Sequence, residues 1–216
     1  MRNRLTIAAA AAASALVLSG LAAPAEAAAP AAKAAAGERS LAQVLAKDGQ
    51  RFDRKWHDFD ILEAAVGAVL AENPDSAVKV LADGDTRLTA FLPTDRAFRK
   101  LARSLTGKRP RSERATFNAL ATAAGVDTIE TVLLYHVVAG ATITRKQALR
   151  SDGASLTTAQ GGNVVVDVRG RGAHRRVFLV DKDPNALNPR IVRFNINKGN
   201  KQIGHAINRV LRPVDL

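Results

Sequence analysis

Thr89-Ala90-Phe91-Leu92-Pro93-Thr94-Asp95-Arg96-Ala97-Phe98 is the stretch on which the reading of this chain turns. The residues from Arg87 to Leu92 have the apolar, β-prone composition of a strand, and Pro93 ends it by removing a backbone donor and fixing φ. Thr94 or Asp95 is then expected to cap a helix whose Ala97, Phe98, Leu101, Ala102 and Leu105 form one apolar stripe. Phe91 and Phe98 are expected to bury on either side of this corner. A threonine nucleophile at Thr94 would need an activating base, and no such arrangement is visible in the sequence. The corner therefore reads as scaffold.

On the N-terminal side, a short helical pattern starts at Ser40. A longer helix is predicted from Asp58 or Asp60, either of which can N-cap, to Glu72, with Ile61, Leu62, Ala65, Val66, Val69 and Leu70 along one face. On the C-terminal side, Thr106 to Arg111 is a loop, Ser112 is a cap, and Gly125 closes the next helix. Asp127 and Glu130 have the spacing of a capping box for a helix that carries Ile129, Val132, Leu133, His136 and Val137 on its inner face and ends at Gly140. Thr144 with Gln147 marks a further capped turn.

From Ser155 the period changes to alternation. Ser155 to Ala159 and Asn163 to Arg169 flank Gln160-Gly161-Gly162, and Val177 to Lys182, Ile191 to Lys198 and Gln202 to Leu211 follow as strands. Helices first and strands afterwards, with one early strand, is an α+β order and not a regular βαβ alternation.

Three segments together carry a family resemblance. The Phe91-Leu92-Pro93-Thr94 corner with Ala97-Phe98, the run Leu133-Leu134-Tyr135-His136-Val137-Val138, and Gly204-His205-Ala206-Ile207-Asn208-Arg209-Val210-Leu211-Arg212-Pro213 resemble, in this order, the signatures of the fasciclin domain. The resemblance covers roughly residues 40–216. It implies a single α+β domain with helices packed on a twisted, mainly antiparallel β-sheet wedge, in which Phe91, Pro93, Thr94, Ala97, Phe98, Tyr135, His136, His205 and Pro213 are structural. It also implies a non-enzymatic adhesion or interaction module, with Tyr135 as a candidate contact residue near the edge of its helix face. The sequence departs from the family pattern at Gly204, Asn208 and Arg212.

Ahead of this domain, Met1-Arg2-Asn3-Arg4, an uncharged run from Leu5 to Ala25, and Ala25-Glu26-Ala27 are the three parts of a signal peptide, with cleavage expected after Ala27. Residues 28–39 are rich in alanine and proline and read as a linker. The expected location is secreted, with no transmembrane anchor.

The 216 residues contain no cysteine, which removes disulfides, thiolate nucleophiles and cysteine-ligated metals. Asp181, Asp183 and Asn185 open like a calcium loop, but Ala186 and Val192 occupy the required glycine and carboxylate positions. The four histidines show no zinc spacing, so neither a metal nor a cofactor is expected.

A net charge of +12 favours polyanionic partners. The dense clusters are Lys108, Arg109, Arg111 and Arg114, and Arg169, Arg171, Arg175 and Arg176. Three functions stay open on the sequence. One is a secreted module contacting protein, matrix or envelope polysaccharide. The second is a polyanion binder working through the arginine clusters, with acidic glycan or wall polymer preferred over nucleic acid. The third is a hydrolase using Thr94, His136 or His205.

Overall fold

A computed structural model describes residues 37–49 and 52–215. The expected signal peptide and most of the expected linker lie outside them.

β1 (Leu88–Pro93) is the axis of the fold. It pairs antiparallel with β2 (Val137–Ala139) on one side and parallel with β7 (Gln202–Ile207) on the other, and β6 (Ile191–Ile196) closes the far edge. A second sheet, β3 (Ser155–Thr157), β4 (Asn163–Arg169) and β5 (Arg176–Val180), is wholly antiparallel. The expected wedge is thus two sheets, with one parallel pair at the centre of the first.

Every residue of β1 and β7 is buried, as expected of strands covered on both faces. Leu88, Ala90, Leu92 and Ala206 point into a core built with α2 (Asp60–Glu72), α3 (Asp95–Thr106), α4 (Glu113–Ala124) and α5 (Val126–Tyr135). Phe91 and Ile207 point the other way, into a core shared with Val164, Val166, Val177 and Leu179 of the second sheet. The molecule is layered as helices, sheet, sheet.

Two short helices, α1 (Leu41–Leu45) and α6 (Arg145–Ala148), both open with capping boxes, Ser40 with Gln43 and Thr144 with Gln147. Among the described residues no helix is long and apolar enough to cross a membrane.

Several boundaries differ from expectation. Gly37 and Arg39, placed in the linker by composition, belong to the domain. Lys201 N donates to the Gly37 carbonyl at 2.9 Å, and Asn197 Nδ2 donates to the Arg39 carbonyl at 2.6 Å. A Cβ on Gly84 would lie 1.5 Å from the Glu38 carbonyl oxygen, so this N-terminal strap is seated against bare backbone.

The helix predicted to reach Gly140 stops at Tyr135, because β-branched Val137 and Val138 are taken up by pairing with β1. β7 ends at Ile207 rather than Leu211. The alternation expected along β6 is broken by register shifts, with Asn195 and Asn197 at positive φ, which exposes Val192 and buries Asn197.

The caps also differ. Thr94 makes no side-chain capping bond. Instead Asp95 N and Arg96 N donate to the carbonyls of Asp58 and Trp56 at 3.1 and 3.0 Å. α2 starts after Phe59 with no side-chain cap of its own, and its Ile61 amide donates to Asp95 Oδ1 at 2.8 Å. Glu130 does not close a capping box; it accepts the Ser76 hydroxyl at 2.5 Å.

Candidate functional site

The three motif segments meet at His136, the residue that follows α5. Its carbonyl accepts Phe91 N at 2.9 Å, tying the Tyr-His turn to β1. Its ring Nε2 accepts Leu211 N at 2.9 Å, so Nδ1 carries the proton and donates to the Val132 carbonyl at 2.7 Å. Both nitrogens are satisfied in the neutral form only. Burial pushes the pKa down to about 4, against the backbone bond to Val132, which acts upward.

His205 on β7 repeats the arrangement. Its Nδ1 accepts Asn195 N at 3.2 Å, and Nε2–H donates to the Ile143 carbonyl at 2.7 Å. Its ring packs edge-on to Phe194 at 5.3 Å, and burial again lowers its pKa. With both imidazoles enclosed and bonded to backbone, neither is a base for the Thr94 hydroxyl.

Tyr135 is fully enclosed instead of standing at a face boundary, which corrects its expected place as an exposed contact residue. Its hydroxyl donates to the Asn163 carbonyl at 2.7 Å and links α5 to the second sheet. Burial first, and then the charge of Asp181, push its pKa up to about 12. Phe91, Pro93, Thr94, Ala97 and Phe98 are buried around the corner, and Pro213 is half-buried after Leu211.

Each departure from the family pattern has a local reason. A Cβ at position 204 would meet Leu92 Cδ1 at 2.6 Å and Leu41 Cδ2 at 3.2 Å. Asn208 Oδ1 accepts Arg190 N at 2.8 Å. Arg212 Nη1 pairs with Asp183 Oδ2 at 2.8 Å, and Arg212 N donates to Asp181 Oδ2 at 2.9 Å. The acids that open like a calcium loop therefore anchor the C-terminal segment.

The predicted basic clusters are brought partly together. Lys108, Arg109, Arg111 and Arg114 are exposed between and on α3 and α4, and Arg114 lies 5.2 Å over the Phe52 ring. In the β4–β5 hairpin, Arg169 pairs with Asp167 at 2.6 Å and covers Phe178 at 4.5 Å. Arg175 is half-buried and donates to the Leu149 carbonyl. Arg171 and Arg176 remain exposed.

Between these clusters runs a basic strip that sequence reading missed. Lys100 Nζ donates to the Asn208 carbonyl at 2.9 Å. Its pKa is lowered by burial and then by the charges of Arg209, Arg96 and Arg190. Arg99, 4.1 Å over Trp56, is lowered by burial and then by Arg109 and Arg96. A groove of about 380 Å³ lined by Arg169, Phe178, Leu187, Arg190 and Arg209 joins the strip to the hairpin. Leu187 is 71 % exposed there. Arg96 and Lys100 share a helix face, which was readable, but Arg190 and Arg209 arrive from distant segments with no local signal.

Acidic residues gather elsewhere. The loop before α2 and the first residues of α3 and α4 bring Asp58, Asp95 and Glu113 together, with one carboxylate oxygen of each within 4.8 Å of the others. Burial is the largest cause raising Asp95 to about 9, and it also raises Glu113. No spacing in the sequence pointed to this cluster, because its members lie on three separate elements.

The family model of the fasciclin domain matches residues 67–213. No curated protein matches the chain. Among solved structures it is similar to a FAS1 domain pair from the insect cell adhesion molecule fasciclin I, at 13 % identity and a TM-score of 0.45. That match covers 70 % of this chain and 43 % of the other, so the chain spans less than half the length of the solved pair.

Proposed function

The chain belongs to the fasciclin domain family, and on that premise we propose that it works outside the cell as a non-enzymatic module that holds acidic polysaccharide of matrix or envelope on its basic face. Membership makes it an adhesion or interaction module in the general sense. The secreted location rests on the signal-peptide pattern of residues 1–27 and the domain layout on the composition of residues 28–39.

The observation that carries the ligand class is the strip Arg96, Lys100, Arg190 and Arg209, where the partly buried Lys100 ammonium is held below its ordinary pKa by burial and then by the three guanidinium charges around it. Clustered like charges beside an apolar floor of Phe178 and Leu187 gain most from a polymer that brings repeated negative charge and a ring face. The non-enzymatic reading is supported by the two neutral, backbone-bonded histidines, whose lone pairs are both occupied and so do not serve Thr94.

The test is retention of the exported chain on immobilised acidic polysaccharide across a salt series. Retention falls steeply with salt, and Arg96→Ser, Arg190→Ser and Arg209→Ser combined move elution to much lower salt with the unfolding midpoint unchanged. Wild-type retention that ignores salt, or a triple variant that elutes with wild type, removes the reading.

A further inference from the structure

We propose that Asp58, Asp95 and Glu113 form a binding site for a hard divalent cation, with calcium the best fit, that clamps the loop before α2 to the starts of α3 and α4. The acidic cluster alone would not carry this, since surface acids often gather without a ligand. What singles it out is depth and orientation. Asp95 and Glu113 are 0 % and 1 % exposed; Glu113 Oε1 is buried with no hydrogen-bond partner among the described residues, and the Asp95 and Asp58 carboxyls face each other so closely that only a shared proton or a cation can join them.

The second oxygen of each deep carboxylate is fixed by backbone. Ile61 N donates to Asp95 Oδ1 at 2.8 Å, and Arg54 N donates to Glu113 Oε2 at 2.8 Å. Those bonds orient each carboxylate and leave its other oxygen without a backbone donor. Among the described residues no lysine or arginine forms an ion pair with any of the three; the ion pairs present lie elsewhere. Buried acceptors are satisfied in nearly all native proteins, and orphaned buried carboxylate oxygens are the most costly kind to leave unmatched.

A cation resolves this directly. The donors are all oxygen, which suits calcium or magnesium and not zinc or copper. Mutual spacing within 4.8 Å fits ligands about 2.3 to 2.6 Å from one calcium ion. Calcium accepts flexible coordination with carboxylates in mono- or bidentate mode, whereas magnesium demands near-ideal octahedral geometry, so calcium is the better match for three carboxylates brought in by separate elements. The exposed Asp53 and the buried Asp60 meet the same spacing with Asp58 and add negative charge beside the site.

The competing account is that the acids share protons. Burial and mutual charge raise Asp95 and Glu113, and a side-chain hydrogen bond to Asp58 raises Asp95 further; that bond needs a proton and a cation would replace it, so the experiment must separate the two. The full chain is stripped with EDTA and its thermal unfolding followed with added calcium or magnesium chloride. Terbium binding is read by energy transfer from Trp56, the only tryptophan, which sits in the same loop as Asp58.

The expected result is a midpoint that rises with calcium concentration as a ligand of the folded state requires, and terbium emission that saturates at one site per chain and is displaced by calcium. Glu113→Gln and Asp95→Asn keep an acceptor for their backbone amides and should lose both responses. A midpoint indifferent to EDTA and to both cations, with no calcium-displaced emission, means protons only and overturns the proposal. So does a response that survives in both variants. If a variant fails to fold, the wild-type terbium competition decides alone.

Discussion

Acidification should strain the His136 node in a way that one substitution isolates. The folded imidazole is neutral, with a pKa of about 4 against the ordinary 6.5. From about pH 6.5 downward the unfolded chain takes up a proton that the folded chain refuses, so this group's contribution falls as pH drops and levels off near pH 4. A gap of that size corresponds to about 3 kcal/mol. His205 acts in the same direction. Asp60, Asp95, Glu113 and Asp181 oppose it, because carboxyls whose folded pKa is raised lose stability as pH rises. The wild-type pH curve is therefore a sum, and the useful quantity is the difference from His136→Gln.

That variant cannot titrate and cannot reach both Val132 O and Leu211 N. At neutral pH it should be less stable by about 1 to 3 kcal/mol, the cost of a buried backbone group left unpaired. Towards pH 4 the gap should close or reverse, because only wild type carries the proton penalty. Denaturant unfolding read by Trp56 fluorescence at several pH values measures this. An equal gap at both ends of the range would refute the tautomer and burial assigned to His136.

Gly204→Ala should destabilise the fold by about 1 to 3 kcal/mol through overpacking, since its methyl meets Leu92 and Leu41, both buried; chemical denaturation checks it. Gln202 is fully buried, with Oε1 accepting Leu41 N at 2.8 Å and Nε2 donating to the carbonyls of Val80 and Asp83 at 2.7 and 2.6 Å. Gln202→Leu should remove on the order of 3 kcal/mol and speed hydrogen exchange at the Leu41 amide.

Much of the scaffold was legible because its signals are local. Pro93 ending β1, Ser112 capping α4, Thr144 with Gln147 opening α6, and the glycine-rich junction of β3 and β4 each act within a few residues. The motif segments around Pro93, Tyr135 and Ile207 predicted a common core, and they meet at His136. What failed was decided by partners distant in sequence. Val137 fits a helical stripe as well as a strand, and only pairing of Val137 and Val138 with the edge of β1 selects the strand. Thr94 does stand at the N-cap of α3, but its side chain makes no capping bond, and the carbonyls of Trp56 and Asp58 take the first amides of α3 instead. Tyr135 looked like a boundary residue because the second sheet that covers it comes from residues 155–180. The basic strip and the acidic cluster escaped for the same reason, each being assembled from segments that share no local pattern.

The central claim is that the family's signature residues are internal struts, while partners meet the basic face. Mapping amide chemical-shift changes as an acidic polysaccharide is titrated into the folded chain tests it most directly. The changes should concentrate at Arg96 to Lys100, Leu187 to Arg190, Asn208 to Arg209 and the hairpin near Arg171 and Arg176, leaving Tyr135, His136 and His205 still. Changes centred on the Tyr-His turn, with the arginine strip silent, would contradict the account.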